Sequence, residues 1–338
     1  MSKPIVTGLL SYGMSGRLFH APFLSTNAGF KLKAVVERNH KKMGGTYPDI
    51  VSYNSVEELL NDSEIELVIV NTPNFTHYDL AKQVLLAGKH VLIEKPAAAN
   101  AKEVKDLYDL AKAHNLHIFV YQNRRWDSDF LAFKEIIESG RLGRLTEVHL
   151  RYDRYKPILA VKPFKETGDT PVNGLVYDLA PHIVDQAIAL FGRPLSFDKI
   201  TAKQRDNSQV IDYFNFRLNY TGELKVYLTG GLLFPEPLPS FVAHGTLGSF
   251  LKYRKDPQEP QLDAGMLPTD PAYGLEPECS EGKLVTMGVD DLKTVEWIKS
   301  GRGNYNHLFD AVHHTIRNGA LYPITEEHIS WQMELLEA

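Results

Sequence analysis

Asp178 and His182 stand four residues apart, the spacing that puts two side chains on one face of a helix. A histidine titrates near neutrality and can take the proton of a hydroxyl, while a carboxylate one turn away can orient it or bind a neighbouring hydroxyl. Val176, Leu179, Ile183, Ala187 and Leu190 give that helix an apolar side against which the polar pair stands out. Pro181 is tolerated only in a first helical turn, which keeps a second reading open: the helix starts near Asp178, Asp178 is its N-cap and His182 is a packed core residue. A third chemical group is Lys95, in Glu94-Lys95-Pro96 directly after the apolar run from His90. At the carboxyl end of a parallel strand it would face a ligand crevice and could stabilise an alkoxide as a hydride leaves the carbon. Its alternative is a solvated strand-end lysine.

These groups need a cofactor, and the N-terminus offers a place for one. The run Ile5–Leu10 leads into Ser11-Tyr12-Gly13-Met14-Ser15-Gly16. A strand, a glycine turn and a helix start can hold a pyrophosphate on free backbone N–H groups. Ser11 stands where the first glycine of G-x-G-x-x-G would be. Glu37 follows Gly16 at about the distance expected of an acid that meets ribose hydroxyls. Arg38 beside it is ambiguous, because a carboxylate repels a 2′-phosphate and a guanidinium binds one. The cofactor expectation is NAD or NADP, with a lean to NAD. No metal is expected, since His114 and His117 lack ligand spacing; nor is a cysteine nucleophile, since Cys279 has no activating neighbour.

The elements that position these residues follow from periodicity. Apolar runs at Ile5–Leu10, Lys31–Val36, Glu66–Asn71, His90–Glu94 and Leu116–Tyr121 alternate with helical stretches, one of them capped by Thr76 with Asp79 three residues on. Buried strands separated by helices predict a doubly wound parallel sheet, hence an α/β nucleotide-binding domain over residues 1–121. After Arg124-Arg125-Trp126 a helix near Asp129–Ser139 gives way to period-two runs at Thr146–Asp153, Asp212–Leu218 and Leu224–Leu228, which predict antiparallel strands. Residues 256–282, dense in Pro, Gly, Asp and Glu, are expected to form a long surface loop, and two helices close the chain. The second domain, residues 122–338, is thus α+β.

Composition sets the outer limits. The 338 residues carry 37 basic and 42 acidic side chains, a formal charge of −5 with no basic stripe, so a nucleic-acid partner is not expected. The longest run free of charged residues, Pro237–Leu251, is too short for a membrane span. One cysteine excludes an internal disulfide, and a cytoplasmic location is expected.

Taken together, the glycine turn, Thr72-Pro73-Asn74 with His77, Glu94-Lys95-Pro96, Asn123-Arg124-Arg125-Trp126-Asp127 and Tyr177-Asp178-Leu179-Ala180-Pro181-His182 resemble the glucose-fructose oxidoreductase/inositol dehydrogenase/MocA family over essentially the whole chain. With Tyr152-Asp153-Arg154-Tyr155-Lys156-Pro157, the look is closest to scyllo-inositol dehydrogenases. The resemblance implies a Rossmann domain followed by an α+β domain with an open, mainly antiparallel sheet that pairs subunits into dimers or tetramers. It implies that Lys95, Asp178 and His182 are catalytic, with Arg124 and Tyr155 also meeting substrate. It implies cofactor contacts from Tyr12, Gly13, Met14, Ser15, Gly16, Glu37, Arg38, Thr72, Pro73, Asn74, His77, Glu94 and Asn123. Phe164-Lys165 departs from the Trp-Arg of related chains. The expected activity is hydride transfer between a nicotinamide and a secondary hydroxyl of a sugar, inositol or related polyol. Alternatives are a dihydrodiol or keto-sugar reductase and a non-catalytic nucleotide-binding regulator.

Overall fold

The computed structural model describes residues 3–159, 166, 172–288 and 290–337; Phe164 and Lys165 lie outside them. The chain divides into two compact units. The first takes Met1–Asn123 and two later stretches, Gln258–Tyr273 and Asn304–Ser330; the second takes Arg124–Pro257, Gly274–Gly303 and Trp331–Ala338. A boundary at residue 121 therefore describes only the first crossing.

In the first unit, β1 (Ile5–Leu9), β2 (Phe30–Val36), β3 (Val51–Tyr53), β4 (Leu67–Val70), β5 (His90–Ile93) and β6 (Ile118–Val120) form a parallel sheet. Its order is β3-β2-β1-β4-β5-β6, the doubly wound arrangement in which ligands bind beyond the carboxyl ends where the order reverses, here between β1 and β4. All four residues of β4 are buried, as a strand covered on both faces requires. The short edge strand β3 has no apolar run to announce it. The expected loop at 256–282 instead contains a helix, Gln258–Asp263, and a buried Tyr273. Pro260 sits in that helix's first turn, where its missing N–H costs nothing. Tyr273, Tyr305 and Phe309 pack on Phe23, the last pair stacked at 5.3 Å.

In the second unit, β7 (Leu145–Asp153), β8 (Ser196–Ala202), β9 (Tyr213–Asn219), β10 (Lys225–Gly231), β11 (Phe241–Gly245), β12 (Gly248–Lys252), β13 (Gly282–Met287) and β14 (Lys293–Ile298) form one open sheet. The order is β14-β13-β12-β11-β7-β10-β9-β8, antiparallel throughout except for the parallel pair β7 and β10. The period-two pattern turns Val148, Leu150 and Tyr152 of β7 to the buried face, which the helix Ala180–Phe191 covers with Ile183, Val184, Ala187 and Ile188.

Candidate functional site

In the first unit, a helical stretch begins directly after the turn at Ser11–Gly16, and its first intrahelical bond runs from Arg17 N–H to Gly13 O. The amides of Met14, Ser15 and Gly16 come before that bond and are left for a ligand, as at any helix start. Ser11 does not break the turn. Its hydroxyl accepts the Gly13 N–H at 3.2 Å, and its carbonyl accepts Asn71 Nδ2 at 2.8 Å. A Cβ on Gly16 would come within 2.3 Å of that carbonyl, so only glycine fits there; one on Gly13 would meet nothing closer than Ser11 Oγ at 3.4 Å. Gly13 is therefore not demanded by the chain's own packing, and what a side chain there would fill is open space. Tyr12 lies edge-on to Tyr47, and Met14 is exposed. The stretch widens into a π-helical turn at Gly16–His20 before the helix Ala21–Thr26.

The ionisable groups beside this turn are bound to their own chain. Glu37 Oε1 accepts the N–H groups of Lys42 and Met43 at 2.7 and 3.1 Å, and Oε2 accepts Ser52 Oγ at 2.8 Å. The carboxylate is buried and occupied, whereas Arg38, His40 and Lys42 are exposed. The case for NAD from a free carboxylate is thereby weakened. Thr76 caps nothing: its hydroxyl donates to Pro73 O at 2.7 Å and lies 2.6 Å from Thr72 Oγ1, because Asn74–Thr76 is a 3₁₀ turn that holds Thr76 in helical geometry. His77 is fully buried, with Nδ1 2.7 Å from Pro96 O and Nε2 2.9 Å from Thr72 O. Burial pushes its pKa down against the pull of those carbonyls. It ties the Thr72 loop, which is expected to meet the cofactor, to Pro96.

Glu94 closes this set. His20 Nε2 lies 2.9 Å from its Oε1, and Oε2 accepts the Lys95 N–H at 3.2 Å. Burial would raise this carboxyl, but the His20 hydrogen bond and the charges of His20, Lys95 and His77 hold it below the ordinary carboxylate value. Lys95 follows β5 at its carboxyl end, half-buried, with its backbone fixed by Glu94. Asn123 is buried at the end of this unit.

In the second unit, Asp178 and His182 do not share one helix. Asp178 ends a short helix, Leu175–Asp178, and His182 sits in the first turn of Ala180–Phe191, with Leu179 at the break. The cause is Pro181, which lacks the N–H and whose ring opposes the carbonyl of Tyr177. Asp178 is exposed and is not the N-cap; His182 is 7% exposed. The His182 ring lies 6.2 Å from that of Tyr152. The two arginines of Asn123–Asp127 divide. Arg125 is spent on Asp185 in a two-point pair at 2.8 and 2.7 Å, while Arg124 lies 5.9 Å over Tyr152 and 3.4 Å from Asp127. Gln186 Nε2 donates to Arg124 O at 2.9 Å. Tyr155 is exposed.

Two family models match: an oxidoreductase family with an NAD-binding Rossmann fold over residues 5–122, and a GFO/IDH/MocA C-terminal domain over residues 130–251. The chain belongs to the Gfo/Idh/MocA family of oxidoreductases. It is 36% identical to the scyllo-inositol 2-dehydrogenase (NADP(+)) IolW of Bacillus subtilis (strain 168), covering 99% of this chain and 92% of that one. It is 29% identical to the inositol 2-dehydrogenase of Rhizobium meliloti (strain 1021) over about half of each chain, 55% and 54%. The crystal structure of an oxidoreductase from Bacillus cereus superposes with a TM-score of 0.90 at 33% identity, covering 98% of this chain and 95% of that one.

As a Gfo/Idh/MocA oxidoreductase the chain needs room for a dinucleotide, and the residues present fit one. Beside the three helix-start amides and the open side of Gly13, Ser15 Oγ and Asn71 Oδ1 are buried polar atoms with no hydrogen-bond partner among the described residues. Among the described residues no cluster suits a metal ion, and no helix is long and apolar enough to cross a membrane. Spacing alone gives no site role to His20, Asn71, Tyr152, Arg154 or Arg254, although Tyr152 and Arg154 belong to a segment that carries the family resemblance. The alternation in β7 could have placed Tyr152 and Arg154 on the His182 face; Arg254 comes to Tyr152 from a distant stretch of chain and carries no local signal.

Proposed function

We propose that the protein oxidises a secondary hydroxyl of a sugar, inositol or related polyol, or reduces the matching ketone, and that NADP is its preferred cofactor. The observation that carries the reading is Lys95, held at the carboxyl end of β5 by Glu94 in a sheet of the dinucleotide-binding type. The amides of Met14–Gly16, with Ser15 and Asn71, would hold the dinucleotide, and Thr72–Asn74 would lie along it. The nicotinamide, when bound, accepts or donates the hydride. Lys95 supplies an ammonium donor to the alcohol oxygen as charge develops, and His182 accepts the hydroxyl proton. Asp178 binds or orients hydroxyls from its exposed position. The occupied Glu37 carboxylate and the exposed Arg38 support NADP. The NADP name of the Bacillus subtilis relative supports it too. Exposed Ile200, Val295 and Trp297 on the edge strands β8 and β14 support assembly of copies through the second unit's sheet.

The test is a panel of polyols followed at the nicotinamide absorbance band with each cofactor, in wild type and Arg38→Ala. Turnover with a polyol is expected. Arg38→Ala should raise the Kd for NADP roughly tenfold and leave NAD unchanged, the loss of one charge-assisted contact. No turnover with either cofactor would refute the activity, and an unchanged NADP affinity would refute the role of Arg38.

A further inference from the structure

The buried face of β7 next to His182 gathers positive charge around one tyrosine ring. Three guanidiniums surround the ring of Tyr152: Arg254 at 4.2 Å from its centre, Arg154 at 4.9 Å and Arg124 at 5.9 Å. Asp127 faces two of them, at 3.4 Å from Arg124 and 3.5 Å from Arg254. That carboxyl is itself held well above its ordinary pKa, first by burial and then by Asp256 and Asp129, against the pull of Arg124 and Arg254. Among the described residues nothing joins it to the third guanidinium, Arg154.

Arg154 is the exception among the arginines of this unit. Arg125 has Asp185, Arg151 has Asp153, Arg205 has Glu166 and Asp212, and Arg217 has Asp198. The Arg154 backbone is pinned on both sides, its N–H to Gly231 O and its carbonyl to the Phe234 N–H, each at 3.0 Å. Among the described residues its guanidinium has the Tyr152 ring and no hydrogen-bond or ion-pair partner, and it is half-buried. A planar five-donor fork left open on the ring that the candidate acid/base His182 also neighbours suits a carboxylate or phosphate taken at two points.

We propose that the substrate is an anionic polyol: besides the reacting hydroxyl it carries a carboxylate or phosphate, which Arg154 binds while Arg124 and Arg254 supply the surrounding positive field. The inference rests on the reading above that His182 faces substrate, and it narrows that reading from polyols in general to charged ones. Neutral polyols would lack the group that satisfies Arg154, and a site built to pair a polar group discriminates strongly against ligands without it.

The experiment is calorimetric binding to the full-length protein of three sugars that differ in charge: glucose, glucuronate and glucose 6-phosphate. Either or both charged sugars should bind at least tenfold more tightly than glucose, and the better one tells carboxylate from phosphate. Arg154→Gln should abolish the preference, Arg154→Lys should keep part of it, and Arg217→Ala, at an exposed arginine paired with Asp198, should leave it intact. Arg154 is half-buried and its backbone bonds do not involve its side chain, so the variants should melt as the wild type does; equal melting temperatures are checked first. Equal binding of charged and neutral sugars, or a preference that survives Arg154→Gln, would overturn the proposal. Because the readout is binding, absence of turnover would count against the dehydrogenase reading and not against this one.

Discussion

The two units differ at one ionisable side chain beside the candidate site of the second. In the nucleotide-binding unit, Glu37, His77 and Glu94 are each engaged by backbone groups or by a buried neighbour. In the second unit, Arg154 has no partner of opposite charge among the described residues, although its neighbours Arg125 and Arg151 are paired. The difference separates two tasks. A dinucleotide is a fixed ligand, best met by a cradle whose amides and side chains are set before it arrives, and internal hydrogen bonds do that setting. A substrate is what distinguishes one family member from another, and its recognition falls to groups the chain leaves open.

The largest effect that could break this contrast is at His182. If it belongs to the open class, His182→Ala should lower kcat by about 10²–10⁴-fold with little change in melting temperature. Lys95→Ala should cost about 10²–10³-fold on the same grounds. A lower melting temperature with full activity per folded molecule would move His182 into the engaged class instead. Next in size is Arg125, an engaged residue inside the open unit. Its pair with Asp185 is nearly buried, at 10% and 3% side-chain exposure. Arg125→Ala leaves a buried carboxylate behind and should cost about 3–5 kcal/mol in denaturant unfolding, with the ratio of charged to neutral sugar affinity unchanged.

The smallest effect sharpens the contrast from the nucleotide side. Glu94 has a folded pKa below its ordinary value of 4.5, so the unfolded chain binds its proton first as pH falls. Its contribution to stability is full above that ordinary value and is lost as pH drops through the folded one. Glu94→Gln should therefore cost about 1–3 kcal/mol at pH 7, the worth of a hydrogen bond to a charged group, and the difference from wild type should shrink below pH 4 or so. A constant difference across that range would mean that His20 holds Glu94 without its charge.

How far the sequence could carry this depends on how local each signal is. The five expected strands of the first sheet are all present because buried parallel strands are continuous apolar runs. β3 escaped because an edge strand of three partly exposed residues has no such run. Pro181 was read correctly as a first-turn proline, yet the break it causes fell at Leu179 and parted Asp178 from His182. Tyr273 was hidden in a Pro- and Gly-rich stretch whose burial depends on Phe23, far away in the chain. Arg254 and Tyr152 meet only through the sheet, since β11 and β12 bring residue 254 back beside β7. Spacing reveals what one element presents; it is silent on what a second element brings.

The return of the chain to its first unit sets an order of events during synthesis. Phe23 and Phe30 are made some 250 residues before the aromatic partners that cover them, Tyr273, Tyr305 and Phe309. At ordinary ribosomal speed, roughly 10–40 s separates Asn123 from Phe309. For that interval the nucleotide-binding half is a sheet with one aromatic flank bare, open to chaperones and to sticking to its neighbours on the polysome.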